Sequence, residues 1–76
     1  MNKDVFINTQ YIKLDSLLKL ADCASTGGQA KLLVSNELVF IEGEVCTQRG
    51  KKIFPGQCII VKTHEDIKVC VHRKGR

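Results

Sequence analysis

The chain is expected to fold as an α+β domain, two short helices packed on a small, mostly antiparallel β-sheet. Three observations predict this. Apolar residues at helical spacing are confined to residues 14–36, and β-prone runs take over from Leu38 onward. The turn pairs Glu42-Gly43 and Pro55-Gly56 then separate those runs at hairpin distances. With 76 residues there is room for one small core, so a single domain over residues 1–76 is expected.

Val5-Phe6-Ile7 is a β-prone run that suits an edge strand tied to a later one. Leu14, Leu17, Leu18 and Ala21 then fall at helical spacing, and Asp15 and Ser16 favour a helix start, which predicts a first helix from Asp15 to Ala21. Thr26-Gly27-Gly28-Gln29 fits a capping box, in which the threonine hydroxyl and glutamine side chain satisfy free backbone N–H groups. Ala30, Leu33 and Val34 form the apolar stripe of that second helix, and Asn36 is placed to close it in a left-handed conformation. Leu38 to Ile41 and Val45 to Thr47 read as a hairpin around Glu42-Gly43. Arg49-Gly50-Lys51-Lys52 is a basic loop, and Cys58 to Val61 a further strand. Ile67, Val69 and Val71 alternate with Lys68, Cys70 and His72 as in a half-buried strand, after which the polar end is expected to fray.

Two glycines in the first turn of a helix need a reason, since each costs about 0.5–1 kcal/mol against alanine inside a helix. One reason is close approach of a phosphate to exposed N–H groups at the positive end of the helix dipole. The other is a flexible connection or tight packing of the second helix on the first. The local sequence leaves both open.

Charge is distributed unevenly. Residues 1–46 carry four lysines against six acids, a net of −2, whereas residues 47–76 carry eight cations against two acids, a net of +6. The total is +4, with an isoelectric point near 9.0. A basic half of this kind suits a polyanion, or serves only as a solvated face. No apolar run approaches the roughly 20 residues of a bilayer span, and no apolar segment follows Met1-Asn2-Lys3-Asp4, so neither a membrane partner nor a secretory signal is expected. A core this small leaves little room for a substrate pocket, so no small-molecule substrate is expected. Cys23, Cys46, Cys58 and Cys70 form no close pair of metal-ligand spacing, with only Cys70-x-His72 coming near. They are expected to act as small buried hydrophobes, with no metal, no cofactor and no disulfide.

From Ile12 to Val61 the chain resembles the RNA-binding domain named after ribosomal small-subunit protein S4, the alpha-L motif, in its small stand-alone bacterial form. The matching stretches are Leu17 to Asp22, Thr26 to Lys31, Val39 to Glu44, Arg49 to Ile53 and Pro55-Gly56, in the family's order. The resemblance implies a motif core at about 12–61, and the residues beyond it read as a C-terminal strand at 62–72 and a basic tail at 73–76. It further implies binding of structured RNA, ribosomal or transfer RNA, by a cytoplasmic, non-catalytic, monomeric protein with the ribosome as a possible partner. Thr26, Gly27, Gly28, Gln29 and Lys31 fall at the start of the family's RNA-facing second helix, and Arg49, Lys51 and Lys52 in its basic loop. Lys19, Arg73, Lys74 and Arg76 are secondary candidates. The chain departs from the family in reading Ile41-Glu42-Gly43 for Val-Asn-Gly, Gln57 for the aspartate of Pro-Gly-Asp, and Gly27 where arginine is common. A carboxylate at position 42 repels phosphate, so no RNA contact is carried onto it.

Aromatic residues are few, and Phe6 and Phe40 read as core, which argues against recognition of splayed single-stranded bases by stacking. Two rival readings remain. A protein adaptor would use Cys46, Phe54 and the Val5–Ile7 edge as an apolar patch, with Asp15, Asp22, Glu42 and Glu44 facing a basic partner. An enzyme would need His64, His72, Glu65, Asp66 or Cys70 to converge in space, which no spacing here indicates, and no catalytic residue is expected.

Overall fold

The computed structural model describes residues 1–75. Its elements run β1 (Asn2–Ile7), β2 (Ile12–Lys13), α1 (Leu14–Leu20), α2 (Gly27–Ser35), β3 (Val39–Ile41), β4 (Glu44–Val45), β5 (Lys52–Ile53), β6 (Cys58–Lys62) and β7 (Asp66–Arg73). A five-stranded sheet has the order β1-β7-β6-β3-β4, and β2 with β5 forms a separate two-stranded ribbon. Only the β1–β7 pair is parallel, so the α+β class and the mostly antiparallel sheet are both observed.

Alternation decides which side of the sheet is covered. Val5 and Ile7 of β1, Val69 and Val71 of β7, Ile59 and Val61 of β6, and Val39 and Ile41 of β3 are all buried. They meet Leu14, Leu17 and Leu18 of α1 and Ala30 and Val34 of α2 in one core, which Ala21, Ala24 and Ile53 complete. Full burial of a branched aliphatic side chain is worth about 1.5–3 kcal/mol, so this one-sided alternation fixes the register of β1, β3, β6 and β7.

Both helices form where the spacing places them, with local differences at their ends. α1 begins one residue early, at Leu14, with no side-chain cap on Lys13, while the Asp15 carboxylate accepts from Ser16 N–H at 2.8 Å. At α2 the Thr26 hydroxyl oxygen accepts from Gln29 N–H at 3.1 Å. The Gln29 side chain reaches one residue further back than a capping box requires, accepting from Ser25 N–H at 2.7 Å. Asn36 does not take the left-handed conformation expected of it. It ends the helix at φ −85°, and Glu37 turns left-handed at φ 61° instead. The hairpin turn has Glu42 at φ 52° and Gly43 at φ 85°, the sign pair of a type I′ turn, and β4 is confined to Glu44–Val45.

Four expectations are corrected. Phe6 is 58% exposed and Phe40 only half-buried, because each alternates out of phase with its buried neighbours and lies on the uncovered side of the sheet. Cys58 and Cys70 are not independent hydrophobes: they oppose each other in the β6–β7 register and are joined as a disulfide. The C-terminal strand does not fray at His72, since β7 continues through Arg73 and Lys74 N–H donates to Ile7 C=O at 2.7 Å. That strand begins at Asp66, leaving Thr63 to Glu65 as a turn held by the Thr63 hydroxyl on Glu65 C=O. Cys23 and Cys46 remain free and half-buried, and burial pushes the Cys23 thiol pKa up.

Candidate nucleic-acid interface

α1 ties the candidate residues together. At its N-terminal end Leu14 N–H donates to Lys51 C=O at 2.8 Å and Asp15 N–H to Arg49 C=O at 3.0 Å. The backbone of the basic loop is therefore pinned to the helix, leaving the Arg49, Lys51 and Lys52 side chains exposed. At its other end, Cys23 and Ala24 N–H both donate to Leu18 C=O, which turns the chain toward α2. Seven helical residues span about 10 Å, so the basic loop and the turn that leads into α2 sit at opposite ends of one short helix.

At the start of α2 every one of Thr26, Gly27, Gly28, Gln29 and Lys31 is exposed. Thr26 and Gln29 are occupied in capping, which makes them builders of the helix end. The N–H groups of Gly27 and Gly28 have no acceptor among the described residues. A Cβ at Gly27 would meet nothing within 4 Å, and one at Gly28 only the Thr26 hydroxyl at 3.7 Å, an ordinary contact. Neither glycine turns to positive φ. Tight packing of α2 on α1 therefore does not account for the glycines.

The ribbon adds a residue that sequence reasoning missed. Lys13 of β2 stands directly opposite Lys52 of β5 in an antiparallel pair. Like charges directly opposed across strands are destabilising, and both are exposed. Lys52 Nζ lies 4.8 Å from the centre of the Tyr11 ring, which itself packs at 5.8 Å on Phe54. The signal that could have found Lys13 is the pairing of Ile12-Lys13 with Lys52-Ile53, each too short to read as a strand.

The secondary candidates are spread more widely. Lys19 is exposed in the last turn of α1. Arg73 and Lys74 are exposed at the end of β7, beside β1, and Arg76 lies outside the described residues. The acids Glu42 and Glu44 line a shallow groove of about 330 Å³ next to Lys51, between the β3–β4 hairpin and the loop that follows it.

Two helices on one face of a mostly antiparallel sheet, with Lys13, Arg49, Lys51 and Lys52 on and beside an attached ribbon, make a small α+β domain with a basic edge. A family model described as the S4 domain matches residues 5–70, and the chain belongs to that family of RNA-binding domains. It is also similar to a protein of Bacillus subtilis (strain 168) named "Probable ribosome maturation protein RlbA". The two are 34% identical over 62 residues, covering 82% of this chain and 87% of that relative. No described helix is long and apolar enough to cross a membrane.

Proposed function

We propose that the protein binds structured RNA by shape and phosphate contact, with the α2 start and the β2–β5 ribbon as the contact face, and that it does so as a cytoplasmic monomer during ribosome maturation. Membership of the S4 family and the name of the Bacillus subtilis relative support ribosomal RNA as the target. The observation that carries the site is the Lys13–Lys52 pair, continued by Lys51 and Arg49 on a backbone pinned to α1. A cross-strand pair of cations raises the energy of the free protein and is relieved by an anion bound between them. The Gly27 and Gly28 N–H groups add uncharged donors at a helix N-terminus, where a phosphate can reach the backbone. Lys31 flanks that point from the second turn, and Lys19, Arg73 and Lys74 extend the field. Nothing in this reading requires turnover, and the role is binding.

The test is a salt-titrated anisotropy measurement comparing a ribosomal RNA hairpin with a DNA duplex of equal length. Preference for RNA with a steep negative slope in log salt supports the reading. Equal weak binding to both reduces the ribbon to nonspecific attraction. No binding at low salt hands the face to a protein partner.

A further inference from the structure

The side of the sheet that the helices leave bare carries two separate aromatic platforms. On β1, Phe6 stacks on His72 of β7 with ring centroids 4.9 Å apart and planes 27° apart, and Phe6 remains 58% exposed. Asp4 holds the His72 ring from the far edge, Nε2 to Oδ1 2.8 Å, so the stack has a fixed orientation. On β3, Phe40 lies with Lys62 Nζ 5.9 Å from its ring centre. Between the platforms run Ile60 and the Cys58–Cys70 disulfide, both half-buried.

We propose that this bare sheet face is a second RNA-binding surface, taking unpaired bases that stack on Phe6/His72 and on Phe40. The shortage of aromatic residues counted against stacking only while both phenylalanines were read as core, and both lie outside it. Across a β-sheet with solvent-facing aromatic residues, single-stranded RNA stacks two or three bases. The register sets the spacing. Phe6 pairs with His72, and Phe40 with Ile60, which pairs with Lys68. The rings are thus three strands apart across the sheet and four residues apart along it, or about 20 Å. That separation suits different nucleotides of one strand.

Charge points the same way. Asp66 of this face is paired with Lys62 at 3.1 Å and Asp4 is hydrogen-bonded to the His72 ring, while Lys68 between the platforms has no acidic partner among the described residues. A duplex keeps its base faces stacked internally, so only unpaired bases can use these rings.

The test uses the full chain and a labelled single-stranded RNA of eight nucleotides and mixed sequence. Phe6→Ala should weaken its binding at least about fivefold, the equivalent of one base stack removed. Phe6→Trp should retain or tighten it, and Phe40→Leu should weaken it. Replacing Arg49, Lys51 and Lys52 together with alanine should leave the Phe6 effect in place. Backbone amide shifts on titration should map to β1, β3, β6 and β7, and a thermal midpoint for each variant reports folding. Unchanged affinity in Phe6→Ala and Phe40→Leu, shifts confined to the ribbon and α2, or no binding by the native chain would each overturn the proposal. If the eight-nucleotide strand binds through Phe6 while the hairpin does not bind, the contact face proposed above fails and this one stands. Hairpin binding with no effect of Phe6 gives the reverse.

Discussion

The start of α2 and the β2–β5 ribbon flank the same helix and offer an anion opposite resources. The ribbon and the loop leading into it supply exposed side-chain cations, Lys13 and Lys52 on the strands and Arg49 and Lys51 on a backbone pinned to α1. The start of α2 supplies backbone N–H groups bare of side chains, in a stretch with no charged residue between Asp22 and Lys31. Cation contacts release counterions and therefore weaken steeply with salt, whereas N–H contacts depend on close approach and hardly respond to it. On the proposed contact face, one half is therefore suited to collect RNA from a distance and the other to test its fit.

The strongest way to break this comparison is on the ribbon. Replacing Arg49, Lys51 and Lys52 with alanine should flatten the slope of log affinity against log salt by about two to three units, roughly one for each phosphate left unneutralised. The fold should survive, because all three side chains are exposed and removing Lys52 also relieves its repulsion with Lys13. Removing the cation from above the Tyr11 ring offsets that relief by about 0.5–1 kcal/mol. A slope unchanged in the triple variant would move the ionic contacts away from the ribbon.

The α2 half should respond in stability as well as in affinity. Thr26→Ala removes the acceptor for Gln29 N–H and should cost about 1 kcal/mol. In a chain of this size that lowers the thermal midpoint by roughly 4–8 °C. Binding should weaken with the salt slope intact, since no charge is removed. Gly27→Ala should separate the two quantities. Its Cβ meets nothing within 4 Å and its φ is ordinary, so the variant should be more stable by up to about 1 kcal/mol. The same methyl group stands where a phosphate would approach, so affinity should fall as stability rises. A variant both more stable and fully active would remove the glycines from the contact face.

Much of this arrangement could be read from the residues because it is local. Capping at Thr26, the helical stripe Ala30-Leu33-Val34 and the two turns need only neighbours in sequence, and each appears where the pattern puts it, give or take one residue. What escaped depended on pairing between distant strands. Val5-Phe6-Ile7 looks uniformly apolar, and only its parallel register with β7 shows that Phe6 stacks on His72 outside the core. Cys58 and Cys70 are 12 residues apart and become partners solely because β6 and β7 pair in that register. Lys13 was missed for the same reason, since a two-residue strand has no periodicity to detect.

The finest contrast lies at the hairpin, where an acid stands on the edge of a basic surface. Glu42 takes φ 52°, a conformation that asparagine adopts at lower cost than other non-glycine residues. Glu42→Asn should therefore stabilise the turn by well under about 1 kcal/mol, since asparagine relieves only part of the left-handed penalty. It also removes one negative charge from the groove shared with Glu44 and Lys51. Affinity for the RNA hairpin should rise at low salt, and the gain should fade near 1 M salt, where the screening length falls to about 3 Å. Measuring affinity at both ends of the salt range separates the two ways a carboxylate can act here. A gain that vanishes with salt marks Glu42 as a repulsive edge that limits where phosphate settles. A loss that persists at high salt marks it instead as an acceptor for a base amino group, and the ribbon would then read bases as well as backbone.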